Sequence, residues 1–255
     1  MSHEAMGDRA MKLREFYATH YGKDENPDAH RVHLIVKALS ALGPVQRVLD
    51  VGCGDGTLGA VFARYSNLVA GIEISMEACT IAHSRGVEVA QADVENYAFP
   101  FRPESFDVVV AGEIIEHMTD PDHFLREIAR VLKPNGHCIL TTPNLASWYN
   151  RLLLLLGYQP YHTDVSFLHQ VGKLKPIVDG GSGHFRVFTL RALRELLMIH
   201  HLRPIAIEGC TVPMTLRFPL NMVERTLSSF PAISSYLVVL TRKEDGGGRV
   251  PEKEG

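Results

Sequence analysis

The stretch EIIEH, residues 113 to 117, sets two carboxylates and an imidazole at positions i, i+3 and i+4. On one helical turn such residues share a side, so Glu113, Glu116 and His117 can act together. Carboxylates and imidazole nitrogens hold divalent cations, and an imidazole titrating near neutrality moves protons. The spacing alone leaves three readings open: a metal site, an acid–base site, or the polar mouth of a loop.

A second stretch, LDVGCGDGTLG at 49–59, holds glycines at 52, 54, 56 and 59. Glycines spaced by two let the backbone approach a ligand closely at the start of a helix. No Gly-Lys-Ser/Thr follows, and the spacing departs from the dinucleotide GxGxxG. Asp50 and Asp55 flank the loop. They repel a pyrophosphate but favour a ligand with an amine or a sulfonium. Further on, Glu73 can accept both hydroxyls of a ribose, and Asp93 can accept an adenine amino group. Singly, each acid is an ordinary helix cap or loop residue. As an ordered set they outline a pocket for an adenosine with a cationic tail.

Short apolar runs and helical patterns alternate around these residues. RVLDVG (47–52), LVAGIEIS (68–75), VEVAQAD (87–93), SFDVVVAGE (105–113) and HCILTTPN (137–144) read as strands. Helices are expected before the first strand, capped by Asp28, and between the others; that of 120–136 is expected to stop at Pro-Asn-Gly. The strands lack polar/apolar alternation, which argues a parallel sheet covered on both faces. Right-handed crossovers make a doubly wound α/β sheet the natural architecture. Glu73, Asp93 and Glu113 then sit at strand C-termini. Later expectations are helices at 145–157, 189–201 and 218–230 and strands near RPIAIEGC and SSYLVVLTRKE. Residues 158–186 have little periodicity and read as a lid or substrate-binding insertion.

These motifs resemble the class I S-adenosylmethionine-dependent methyltransferases. VLDVGCGDGTLG is similar to that family's first motif, GIEIS to its ribose acid, and QADVENYAF to its adenine segment. The resemblance spans about 45 to 242. It implies a Rossmann-like sheet of seven strands, mostly parallel, with SSYLVVLTRKE as the antiparallel one. The implied division is a helical cap at 1–44, a methyltransferase domain at 45–242 with an insertion at 145–188, and a disordered tail at 243–255. It further implies Gly52, Cys53 and Gly54 against the methionine part and Asp50 facing its end. Glu73 falls on the ribose, Asp93 near adenine, Ile74 and Val94 about the purine, and Glu113 beside the transferable methyl. The segment 16–36 is expected over the cofactor, with Tyr21 or Arg31 reaching its carboxylate.

The ExxEH spacing also resembles two metal-using branches of that family. One is the O-methyltransferases of ubiquinone biosynthesis, the other the 2′-O-methyltransferases of small RNAs. The likeness to the RNA enzymes implies Glu113, Glu116, His117 and His184 around one Mg²⁺, Mn²⁺ or Fe²⁺. Without a metal, His117 is the base candidate or a substrate contact. His162 and His169 are weaker ligand candidates.

The acceptor is read as a small or lipid-like molecule, methylated on oxygen. LASWYNRLLLLLGYQPYHTDVSFLHQ (145–170) and TVPMTLRFPLNMV (211–223) supply apolar surface for a lid, a pocket or an oligomer interface. An RNA acceptor ranks lower. Lys173, Lys175, Arg186, Arg191 and Arg194 form a loose basic cluster, but the net charge of the 255 residues is -3. A non-catalytic cofactor-binding partner protein is the remaining alternative. Cys53, Cys79, Cys138 and Cys210 show no CxxC spacing, which fits a reducing cytoplasm. No stretch has the length of a membrane span, and the N-terminus lacks a signal-peptide core.

Overall fold

The computed structural model describes residues 29–175, 178–210, 220–227 and 229–244. Asp28, Tyr21, the apolar segment 211–219 and the tail from 245 fall outside them. The elements run α1 (Ala29–Ala41), β1 (Val45–Val51), α2 (Thr57–Phe62), β2 (Ser66–Glu73), α3 (Met76–Ser84), β3 (Glu88–Gln91) and β4 (Phe106–Gly112). After a 3-10 turn (Ile115–His117) come α4 (Pro121–Val131), β5 (Leu132–Pro143), α5 (Trp148–Leu155), β6 (His169–Gln170) and β7 (Val178–Asp179). The chain then forms α6 (Leu190–Ile199), β8 (Leu202–Cys210), α7 (Leu220–Leu227) and β9 (Tyr236–Lys243).

Seven strands form one sheet in the order β3-β2-β1-β4-β5-β9-β8. β3 through β5 pair in parallel, and β9 runs antiparallel to both β5 and β8. This is the doubly wound, mostly parallel sheet expected, with SSYLVVLTRKE as its one antiparallel strand. β6 and β7 form a separate hairpin within the insertion.

Side-chain alternation explains why each strand reads as an unbroken apolar run. Leu49, Val51, Val109, Ala111 and Leu140 join one hydrophobic cluster, with Phe124, Ile128 and Leu193 from α4 and α6. Val48, Val108, Val110 and Ile139 join the other, with Ile35, Phe62 and Ala82 from α1, α2 and α3. Each strand therefore needs apolar residues at both parities. Among the described residues no helix is long and apolar enough to cross a membrane.

Local signals set several boundaries. Ser75, Asp120 and Thr189 cap α3, α4 and α6 through side-chain oxygens on Ala78, His123 and Ala192 N–H groups. α4 ends at Val131 rather than at 136. Pro134 disfavours helical backbone at Lys133, and Asn135 adopts a left-handed φ of 58°. The extra residues bulge between the pairs Phe106–Leu132 and Val108–His137.

The glycine loop follows from close packing. Gly56 has φ 77°, and a Cβ there would lie 2.8 Å from the Ala82 Cα. α3 thus rests directly on the loop. Gly56→Ala should cost about 2–4 kcal/mol from backbone strain and overpacking together. Urea melts of parent and variant check this; a loss under about 1 kcal/mol would mean that α3 can move away.

Candidate functional site

Asp50 lies near the end of β1, only 4% exposed, with its Oδ2 buried and without a hydrogen-bond partner. Burial, reinforced by the Glu73 charge, raises its pKa to about 7. Glu73 closes β2. Its Oε1 accepts from the N–H groups of Ile74 and Ser75, at 2.8 and 2.9 Å. Its Oε2 accepts from Gly54 N at 3.0 Å. The acid expected on a ribose is therefore also the clamp that shapes the glycine loop. Gly52 and Cys53 both donate to the Ile72 carbonyl. Cys53 is buried, which pushes its thiol pKa up.

Asp93 accepts from Glu95 N at 3.0 Å and from Asn96 Nδ2 at 2.9 Å, forming a compact turn after β3. Val94 packs against the first core cluster, and Ile74 stays half-buried. Asp50, the glycine loop, Glu73 and Asp93 thus lie along the carboxyl ends of neighbouring parallel strands, where open α/β sheets bind ligands. A buried carboxylate oxygen lacking a partner, beside a second acid, fits a cationic ligand.

EIIEH does not form one helical turn. Glu113 is still bonded to β5 through its N–H, which donates to the Thr141 carbonyl at 3.1 Å. Its φ of 53° then turns the chain sharply. Its carboxylate accepts from Thr141 Oγ1 at 2.7 Å and lies 3.4 Å from Arg31 Nη1. Only Ile115–His117 curl into the 3-10 turn. The shared face of Glu113, Glu116 and His117 is therefore lost, and Arg31 is found on Glu113.

Glu116 and His117 meet His184 from the insertion, with one ligand atom of each within 4.8 Å of the others. Glu113, His162 and His169 are outside this group. Glu116 is 0% exposed; Thr142 Oγ1 donates to its Oε2 at 3.0 Å, and Oε1 is buried without a partner. Burial, then the Glu113 charge, pushes its pKa well above the carboxylate range. His117 Nδ1 lies 3.1 Å from the Gly183 carbonyl, and His184 Nδ1 lies 3.1 Å from the His162 carbonyl. A carbonyl only accepts, so each Nδ1 carries the hydrogen and each Nε2 the lone pair. Metal-ligating histidines are oriented in this way. The donor set fits a divalent cation.

Burial and the neighbouring His184 take the His117 pKa down to about 3. The imidazole is then neutral at pH 7 and a weak proton acceptor. Burial of His117, only 3% exposed, thus argues against the reading of it as a base near working pH. His184 is also lowered by burial. His169 instead pairs with Asp179 on the hairpin, at 3.0 Å. The basic cluster is dispersed: Lys173 is buried on Asp164, Arg186 donates to the Thr119 carbonyl, and Arg191 pairs with Glu195.

Thr141 and Thr142 were not singled out from the sequence. Both are fully buried and orient the two glutamates. A signal existed: a polar pair closing an otherwise apolar strand in HCILTTPN.

Residues 49–140 match the family described as Methyltransferase domain. The ubiquinone biosynthesis O-methyltransferase of Proteus mirabilis is 36% identical over 120 residues, which are 44% of this chain and 47% of that protein. The same enzyme of Yersinia pestis is 36% identical over 111 residues, 40% of this chain and 46% of that protein. The chain thus spans about half the length of the curated relatives it matches. Among solved structures, a methyltransferase bound to the Trm112 activator of Haloferax volcanii has a TM-score of 0.64 at 17% identity, covering 93% of this chain and 100% of that one. The N-methyltransferase NodS of Bradyrhizobium japonicum, with S-adenosylhomocysteine, has a TM-score of 0.58 at 15% identity, covering 92% and 98%. Residues 49–140 thus match a methyltransferase domain, and the seven-stranded sheet has the fold of these solved methyltransferases.

Proposed function

We propose that the protein transfers a methyl group from S-adenosylmethionine to an oxygen of a small or lipid-like acceptor, at a site that also holds a divalent cation. One observation carries the cation: the partnerless, buried Oε1 of Glu116 lies in a group with two imidazoles. Glu116, His117 and His184 would hold the ion. When bound, it supplies Lewis acidity that lowers the pKa of a hydroxyl acceptor. Two nitrogens and one carboxylate favour Mn²⁺ or Fe²⁺ over Mg²⁺. The O-methyltransferase relatives support oxygen as the acceptor atom.

The chain's own residues perform the remaining tasks. Glu73 would take the ribose hydroxyls while keeping Gly54 in place, and Asp93 the adenine amino group, with Ile74 and Val94 about the purine. Asp50 would balance the cationic end beside Gly52 and Cys53. Thr141 and Arg31 hold the Glu113 carboxylate at the mouth of β4. Alignment of acceptor and sulfonium then supplies the rate, because the methyl donor is already activated.

A lipid-like acceptor draws support from Leu152, Leu154, Leu155 and Leu156, all exposed along and just after α5. RNA draws less, given the dispersed basic side chains. A cytoplasmic setting is supported by the absence of any disulfide among the four buried cysteines.

Calorimetry with S-adenosylmethionine tests the cofactor reading. The parent should bind, and Glu73→Ala should lose at least about 100-fold in affinity, since a charge-assisted contact and the loop's clamp go together. No binding by the parent would end the proposal.

A further inference from the structure

The insertion at 158–186, between α5 and α6, rests on the remainder of the fold through ring contacts of Tyr161 with Tyr149 and of His162 with Tyr236, and is held internally by polar bonds. Neither hydrophobic cluster of the described residues contains a residue from 158–186. A buried ion pair lies inside it instead. The side chains of Lys173 and Asp164 are 5% and 7% exposed, and Lys173 Nζ lies 3.5 Å from Asp164 Oδ1. The ammonium also donates to the Pro160 carbonyl at 2.5 Å and to the Thr163 carbonyl. On the other side, Asp164 Oδ2 accepts from Ser182 N at 2.5 Å and from Ser182 Oγ at 2.6 Å.

These bonds join two short segments. Pro160 and Thr163 bracket His162, whose carbonyl takes the Nδ1 hydrogen of His184. Ser182 precedes Gly183, whose carbonyl takes the Nδ1 hydrogen of His117. The returning chain is then bonded to the 3-10 turn, with Phe185 N and Arg186 N donating to the Glu116 carbonyl at 2.8 and 3.1 Å. His162 adopts a φ of 64°, a conformation that a histidine keeps only when its surroundings impose it. Taking two charges out of water is costly, and stability alone is a weak reason to bury them. Here they sit where one clasp sets both orienting carbonyls.

We propose that Lys173 and Asp164 are positioning residues for the candidate ion site, acting through Ser182, Gly183 and His162 on the rings of His117 and His184. The proposal rests on the ion reading given above. Loss of a group one layer behind a metal ligand typically costs about 10–100-fold in metal affinity, and Lys173 and Asp164, one layer further out, fall at the low end of that range.

The test is a calorimetric Mn²⁺ titration and a visible Co²⁺ spectrum on the full chain, for the parent, Lys173→Met, Lys173→Arg and Asp164→Asn. Lys173→Met and Asp164→Asn should each weaken Mn²⁺ about 10-fold and shift the Co²⁺ bands. Affinity for S-adenosylhomocysteine should stay within about twofold, because the glycine loop is untouched. Lys173→Arg, which keeps the charge and donors, should recover most of the Mn²⁺ affinity. Asp164→Asn, which retains an acceptor for Ser182, carries the test if Lys173→Met does not fold. Variants that bind Mn²⁺ as tightly as a binding parent, with unchanged Co²⁺ bands, overturn the proposal alone. A parent that binds neither ion overturns the ion site and this proposal with it.

Discussion

A Glu116→Gln protein is expected to melt higher than its parent without metal, and to lose the rise in melting temperature that Mn²⁺ gives the parent. The carboxyl group is fully buried, with one oxygen on Thr142 and the other partnerless. In the absence of a cation, burial and the Glu113 charge oppose its ionisation, so folding near neutral pH requires the carboxyl group to take up a proton. Glutamine keeps the shape, still accepts from Thr142, and offers an N–H₂ toward imidazole lone pairs. Avoiding that proton uptake should raise stability near neutral pH by about 1–3 kcal/mol, or roughly 2–10 °C for a chain of this size. A divalent ion at 100 times its dissociation constant stabilises the parent by about 2.7 kcal/mol. A neutral amide is a poor ligand for such an ion, so the variant should show almost none of this gain. Melting curves with chelator and with Mn²⁺ measure both halves. An equal response of the two proteins to Mn²⁺ would remove Glu116 from the ligand set. No response from the parent would remove the ion.

Asp50→Asn should show a second trade, between stability without ligand and cofactor affinity. The folded pKa of about 7 stands above the ordinary 3.8 because the group is buried beside Glu73. A raised folded pKa means that the folded state holds its proton more tightly than the unfolded chain. The stability it contributes is therefore full below about pH 3.8 and is lost as pH rises toward about 7. The whole difference corresponds to about 4 kcal/mol as an order of magnitude. Asparagine does not titrate, so its advantage over the parent should widen by about 2–3 kcal/mol between pH 5 and pH 8. The same substitution removes the charge that would face a sulfonium or ammonium, and should weaken S-adenosylmethionine binding about 10–100-fold. Urea melts at the two pH values and calorimetry at pH 8 read the two effects. A stability difference independent of pH would mean that Asp50 is not protonated in the folded state.

The sheet was legible because its causes are local. Each strand needs apolar residues at both parities, so β1, β4 and β5 stand out as unbroken runs. Ser75, Asp120 and Thr189 mark helix starts by bonding N–H groups three residues on. The α4 boundary was misjudged because Pro134 acts on Lys133 before it, while Pro-Asn-Gly was read as the stop itself. Of the site, the adjacent pair Glu116 and His117 was readable, since neighbours in sequence on one tight turn cannot separate far.

Glu113 leaves the shared face with Glu116 and His117 for a reason that no spacing contains. Its backbone remains paired with Thr141, 28 residues away, and its carboxylate lies between Thr141 and Arg31. The choice of His184 over His162 and His169 likewise depends on how the insertion folds back, through Lys173, Asp164 and Ser182. By itself the sequence determined the alternating strands and helices, the glycine loop with its ordered acids, and the Glu116–His117 pair, because each depends on residues within a turn or a strand of one another. The resemblance named His184 for that pair, but only the tertiary structure brings its ring there, leaves Glu113 out of the group and sets the protonation states. Burial is a property of what packs around a group, and the 0% exposure of Glu116 and 3% of His117 are created by β5 and the insertion, not by EIIEH.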